Sequence, residues 1–254
     1  MASKIKAAGG QAIAVAREVS DKSQVDKLAE SAIHKFGRTD TWENNAGLGM
    51  WGRLDETVEA DARRLFDINF WGVVHGSLAA LPPLKKHGGA LINVGSEVSD
   101  AYPPLQGMYA ATKHAVKGWT DAFRVEIEDV DKSPISITLI QPTAVDTPFP
   151  QHARNFTPRE PMLPKPMIEP QQVADAILEA AVHPTRAKTV GTMSLINTTM
   201  ARILLGVADK MAAKYVDNQH YDEPPRKPEG ALNRPGEATE VAGQTHGTGG
   251  VEPM

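Results

Sequence analysis

A chain of 254 residues, 41% of them hydrophobic, is long enough to bury the full core of one α/β domain. A net charge of -4 with no long basic run excludes the electrostatic footprint of a nucleic-acid binder or of a protein drawn to anionic membrane. The absence of cysteine removes disulfides, thiol nucleophiles and thiolate zinc sites, and the 8 histidines never take HExxH-type spacing, so no metal is expected. No apolar block of signal-peptide length opens the chain and none of about 20 residues follows, which predicts a soluble, cytoplasmic protein without a membrane span.

In chain order, residues 2–10 read as the end of a helix, and Ala12 to Val19 (AIAVAREV) as a short buried strand. Asp21 with Gln24 three residues on forms a capping-box pattern, opening a helix to about Phe36 that Gly37 ends. Thr39 to Glu43 is a strand leading into Asn44, Asn45, Ala46 and Gly47, a polar turn at the carboxyl edge of a sheet, where α/β folds bind ligands. A helix follows from about Thr57 to Leu81, its apolar stripe (Val58, Ala62, Leu65, Val73, Leu81) interrupted by Asn69.

Leu91 to Val94 is a strand, Gln106 to Val130 a long helix and Ile135 to Ile140 a strand. This alternation implies a parallel sheet. Pro170 suits a first helical position in a helix ending near His183, before a last strand at Lys188 to Gly191. From Met193 to Val216 apolar residues recur at helical spacing between charges that rule out a membrane span. The stripe fits a lid, a partner-facing helix or a helix packed on its own domain. The polar, Pro- and Gly-rich remainder has little to bury and is expected to be disordered.

Chemistry concentrates in a few residues. Tyr109 and Lys113 are one helical turn apart on one face, so an ammonium stands beside a phenol and favours its ionised form. That would bring a group of reference pKa ~10 towards use as an acid and base. Ser96 follows the Leu91 to Val94 strand and could share a carbonyl substrate with Tyr109, or simply cap the strand end. Asn69 must find partners for its amide, as a core group or as part of a site.

Taken together, NNAG (44–47), Asn69, INVGS (92–96), YAATK (109–113) and PTAVDTP (142–148) resemble, in order and spacing, the short-chain dehydrogenase/reductase (SDR) family over about residues 5–192. The resemblance implies a Rossmann-like, doubly wound parallel sheet and an oxidoreductase that interconverts a carbonyl and a secondary alcohol with NAD or NADP. It implies catalytic roles for Asn69, Ser96, Tyr109 and Lys113. Tyr109 would exchange the proton, Ser96 hold the substrate oxygen, Lys113 bond the cofactor ribose and Asn69 a relay water. Asn45, Ala46 and Gly47 would approach the cofactor, and Pro142, Val145 and Thr147 would border the nicotinamide, with Tyr109 and Lys113 also in contact. Residues 101–105 and the loop 149–168 would line a partly apolar substrate pocket. A homo-oligomer is implied as well, through the helices at 57–81 and 106–130.

The family's TGxxxGxG phosphate turn does not occur in the sequence, which predicts an N-terminally truncated sheet with its first two strands absent. The Ala12 to Val19 strand should then be left with buried, unpaired ladder groups. Glu43 stands where a buried strand should be apolar, and would need a cation. Glu18 replaces an aspartate that relatives use near the adenine. The expected organisation is a truncated domain over 1–192, an amphipathic helix over 193–221 and a disordered tail over 222–254. An inactive fragment that acts by associating with another subunit is the alternative function.

Overall fold

The computed structural model describes residues 2–234. After α1 (Ala2–Ala7), residues 10–18 form no strand and are mostly exposed. This corrects the expected Ala12 to Val19 strand. Its apolar residues alternate with nothing to pair against, so its backbone stays with solvent and no buried ladder is left open. Helix α2 (Lys22–Phe36) starts where expected, with the Asp21 carboxylate accepting from the Ser23 N–H at 2.9 Å. Gln24 donates to the Asp21 carboxylate at 3.0 Å and accepts from the Glu18 N–H at 3.1 Å, rather than from the Asp21 N–H as a capping box would have it. Gly37 ends the helix at φ 82°, a left-handed conformation that glycine adopts without strain.

Strand β1 (Thr41–Asn44) is followed by the short β2 (Met50–Trp51). The expected 57–81 helix is α3 (Glu59–Phe66), a π-helical turn over Asp67–Trp71 and α4 (Gly72–His87). It runs on through Pro82 and Pro83, whose missing hydrogen bonds fall on the exposed side at Leu78 and the half-buried Ala79. Then come β3 (Gly89–Val94), α5 (Gly107–Arg124) with a second π-helical segment to Val130, and β4 (Ile135–Pro142). The chain continues as α6 (Phe149–His152), β5 (Arg154–Asn155), α7 (Pro170–Val182) and β6 (Ala187–Val190).

The main sheet is parallel, in the order β1-β3-β4-β6. Strand alternation sorts its side chains into two cores. Leu91, Ile135 and Ile137 pack with Ala80, Leu84, Phe123 and Ile127 of the α4 and α5 side. Ala90, Ile92 and Ile140 pack with Ala176 and Ala180 of α7 on the other face. Helices on both faces of a parallel sheet make the expected Rossmann-like arrangement. Among the described residues β1 is an edge strand and Glu43 is exposed, although it lines a cavity at the carboxyl edge of the sheet and desolvation there raises its carboxyl. The expected buried carboxylate is not there. Glu18 pairs with Arg64 of α3 at 2.8 Å.

A polar seam crosses the sheet interior. The Asn44 amide donates to Asn93 Oδ1 at 2.8 Å and to Ser77 Oγ at 3.0 Å, and Asn93 donates to Thr120 Oγ1 at 3.0 Å. Asn44 therefore faces the core, and Gly76 makes room for it, since a Cβ there would lie 1.9 Å from Asn44 Oδ1.

The Met193 to Val216 stretch is two helices, α8 (Thr192–Ile203) and α9 (Leu205–Lys214), broken at Leu204 next to the poor helix former Gly206. No helix among the described residues is long and apolar enough to cross a membrane. The expected disorder does not hold over 222–234. There the Asn155 N–H donates to the Pro228 carbonyl at 2.8 Å and the Ala231 N–H to the His152 carbonyl at 2.8 Å. Leu232, 1% exposed, completes a core with Met50, Leu65 and Ile68. Composition misled because one leucine and a set of backbone bonds suffice to dock a polar segment. The remainder of the expected tail, 235–254, lies outside the described residues. Leu232→Ala should lower unfolding free energy by about 2–5 kcal/mol in chemical denaturation. An unchanged midpoint would show that this segment adds nothing to the fold.

Candidate active site

Ser96, Tyr109 and Lys113 converge on one cavity of about 760 Å³ at the carboxyl edge of the sheet. Ser96 leaves the end of β3 and caps a short turn over Glu97–Ser99, its Oγ accepting from the Val98 N–H at 3.3 Å. The capping role and a role towards the cavity coexist, because the same hydroxyl lines the cavity beside Tyr109 and acts on the phenol in the direction that lowers it. Tyr109 and Lys113 lie on the first turns of α5, with Lys113 Nζ 5.9 Å from the centre of the Tyr109 ring. Nζ donates to the Val94 carbonyl at 2.9 Å, which leaves two of its three N–H groups for a ligand.

Asn69 sits on the π-helical turn, a widening that is often found at functional sites. Its Oδ1 accepts from the Leu48 N–H at 2.8 Å, and its amide donates to the Leu48 carbonyl at 2.9 Å and to Thr112 Oγ1 at 3.0 Å. Both amide donors are occupied, so this side chain holds the 44–48 loop against α5. Gly47 comes close to the same point. A Cβ there would lie 3.4 Å from Asn69 Oδ1 and 3.6 Å from Lys113 Nζ.

Asn45, Gly47, Pro142, Val145 and Thr147 all line the cavity with Tyr109 and Lys113, whereas Ala46 is exposed and outside its wall. Ala101 to Pro103 and the loop residues Phe149 and Leu163 to Pro166 also line it, as expected of a substrate pocket. The inner faces of α8 and α9 cover it like a lid with Met193, Met200 and Met211, and α8 packs on its own domain, Ser194 Oγ donating to the Gln141 carbonyl at 2.7 Å. The outer faces of these helices leave Leu195, Ile203 and Leu205 exposed.

The electrostatics differ from the expected coupling of phenol and ammonium. Burial pushes the Tyr109 phenol up to about 12, the Ser96 hydrogen bond only partly opposing it and the nearby Glu97 charge adding to it. Burial pushes the Lys113 ammonium down to about 8. Desolvation thus outweighs mutual attraction, and the phenol is not brought into the neutral range.

Two groups at the site were not read from the sequence. Glu97 is buried, lines the cavity and accepts from the Asn197 amide of α8 at 3.0 Å. Desolvation raises its carboxyl, and hydrogen bonds from Asn197 and Thr143 offset this only in part. An acidic residue directly after the serine of INVGS was the available signal. Asp100 receives Arg202 of the lid at 3.0 and 2.7 Å, Gln141 of β4 at 2.8 Å, and Lys117 of α5. Burial opposes its ionisation, but these donors outweigh it and hold the carboxyl down to about 2. Only proximity in space joins these four residues, and no sequence spacing announced it. Among the described residues no cluster of three His, Asp or Glu side chains could hold a metal.

The sequence profile described as short chain dehydrogenase matches residues 1–157. The chain belongs to the short-chain dehydrogenase family. It is 39% identical over 229 residues to the uncharacterized oxidoreductase YxnA of Bacillus subtilis, a match covering 89% of this chain and 64% of that relative's length. A short chain dehydrogenase/reductase from Burkholderia phymatum, solved in complex with NAD, has the same fold, with TM-score 0.69 and 24% identity over 83% of this chain and 80% of that one. An alcohol dehydrogenase from Thermococcus sibiricus, complexed with 5-hydroxy-NADP, gives TM-score 0.62 and 26% identity over 74% of this chain and 77% of its own.

Within this family setting the buried lysine can be checked without substrate. Its folded pKa of about 8 lies below the unfolded value of about 10.4, so between these values the unfolded chain holds the extra proton. Its contribution to stability is present above that window and is lost as pH falls through 8. The wild type should therefore gain thermal stability relative to Lys113→Met as pH rises from 7 to 10. A constant difference in melting temperature would show that the amine is not desolvated.

Proposed function

We propose that the chain is an NAD- or NADP-dependent oxidoreductase that interconverts a carbonyl and a secondary alcohol. The observation that supports this reading most is the convergence of Ser96, Tyr109 and Lys113 in one cavity with Asn45, Gly47, Pro142, Val145 and Thr147. The residues present fit the nicotinamide and ribose end of a dinucleotide. Small residues and a proline flank the amine, which keeps two donors for ribose hydroxyls. No TGxxxGxG turn occurs in the 254 residues, so the reading assigns none of them to the diphosphate. When bound, the nicotinamide supplies or takes up a hydride.

Tyr109 Oη gives a proton to the substrate oxygen in reduction and takes it back in oxidation. Ser96 Oγ, lining the same cavity, holds that oxygen in line with the phenol. Lys113 fixes the ribose and contributes positive charge. Asn69 acts as a positioning residue, because its amide donors are occupied by Leu48 and Thr112. The lid and the 149–168 loop exclude water and present an apolar wall. We also propose self-association through α4 and the helix beginning at Gly107, where Trp71, Leu78 and Val125 are exposed.

Equilibrium fluorescence titration should show binding of NADH or NADPH, and neither cofactor binding to a folded chain would favour a non-catalytic, associating fragment. Tyr109→Phe should lower kcat by at least about 10²-fold while cofactor affinity stays within about threefold. The phenol is held protonated at neutral pH, so carbonyl reduction should vary little between pH 6 and 8. Alcohol oxidation, which needs the phenolate, should rise up to about tenfold per pH unit. Parallel profiles in the two directions would remove Tyr109 as the titrating group.

A further inference from the structure

Two acids line the cavity, the exposed Glu43 of β1 and Glu97, which is adjacent in sequence to Ser96 and 9% exposed. The Glu97 carboxylate accepts from the Asn197 amide at 3.0 Å, the neutral Thr143 side chain acts on it in the same lowering direction, and it has no ion pair among the described residues. A carboxylate offers about four acceptor positions, and two neutral donors leave it underprovided in a buried setting. The cavity wall is largely apolar, with Met193, Met200, Met211, Ile177 and Leu163 among its residues. In such a pocket the few polar groups set ligand orientation. Its charge also acts on Tyr109 in the direction that disfavours a phenolate. A donor on the ligand, brought against Glu97, would complete the carboxylate's shell and cancel that effect on the phenol.

We propose that Glu97 determines specificity by selecting substrates that carry a hydrogen-bond donor, an ammonium or a hydroxyl, beside the reacting carbon of an otherwise apolar body. This rests on the oxidoreductase reading. Asn197 then serves as a positioning residue that orients the carboxylate from the lid.

The test uses three matched alcohols, 2-octanol, 1,2-octanediol and 1-amino-2-octanol, titrated calorimetrically into the full chain, with hydride transfer from each of the three to NAD or NADP followed separately. The two donor-bearing probes should bind about tenfold more tightly than 2-octanol. Glu97→Gln keeps an acceptor oxygen and loses the charge, so it should abolish the preference for the amine and keep part of that for the diol. Asn197→Ala should retain the ranking, because the carboxylate remains. Three wild-type affinities within about threefold of one another, or no measurable binding of the donor probes, would overturn the proposal. So would an undiminished amine preference in Glu97→Gln, or an equal loss for all three probes, which marks a merely structural clamp. The ranking without hydride transfer would sink the oxidoreductase reading alone, and hydride transfer without the ranking would sink the anchor alone.

Discussion

Asn69 is fully buried on a helix, so its amide must be satisfied by protein. It meets this demand by taking both backbone groups of Leu48 and the hydroxyl of Thr112, next to Lys113. The loop at the end of β1 and the helix that carries the phenol and amine are thereby held in one geometry. The π-helical turn at 67–71 rotates Asn69 into reach of both. Without that amide, the Leu48 backbone would lose both of its bonds to Asn69 and the loop its tie to α5. The catalytic spacing thus depends on a group that keeps no free N–H for chemistry.

The buried polar atoms around this point show a division of labour. Asn44 and Asn93 of the sheet bond to each other and to Ser77 of α4 and Thr120 of α5, so the strand ends are tied to the helices that cover them. Tyr109, Lys113 and Glu97, one layer further out, are not brought to their ordinary protonation ranges by their neighbours. A site whose frame is satisfied and whose reacting groups are desolvated stores electrostatic demand where ligands bind.

Much of this was legible in the sequence, and unevenly so. Helix ends followed from local chemistry, as at Asp21 and Gly37, and the strands at 91–94 and 135–140 from their apolar runs. The order of NNAG, Ser96, Tyr109 and Lys113 carried the family and the cavity floor, because those residues are tied to strand and helix ends. Residues 12–19 misled because apolar alternation gives a strand only where a partner strand exists. The segment 222–234 misled because composition counts what can be buried, not the backbone bonds that Pro228 and Ala231 make. Glu97 and Asp100 escaped notice because their roles are set by Asn197 and Arg202, about a hundred positions away. The phenol's position was misjudged because spacing shows who stands beside whom and not how dry the place is.

Asp100 joins the lid to the body in a particular way. Its carboxylate is shared by Arg202 of α8, Lys117 of α5 and Gln141 of β4, so one acid ties three elements together. Two cations and an amide converge on it, and the loss of any one donor would leave the carboxylate still paired.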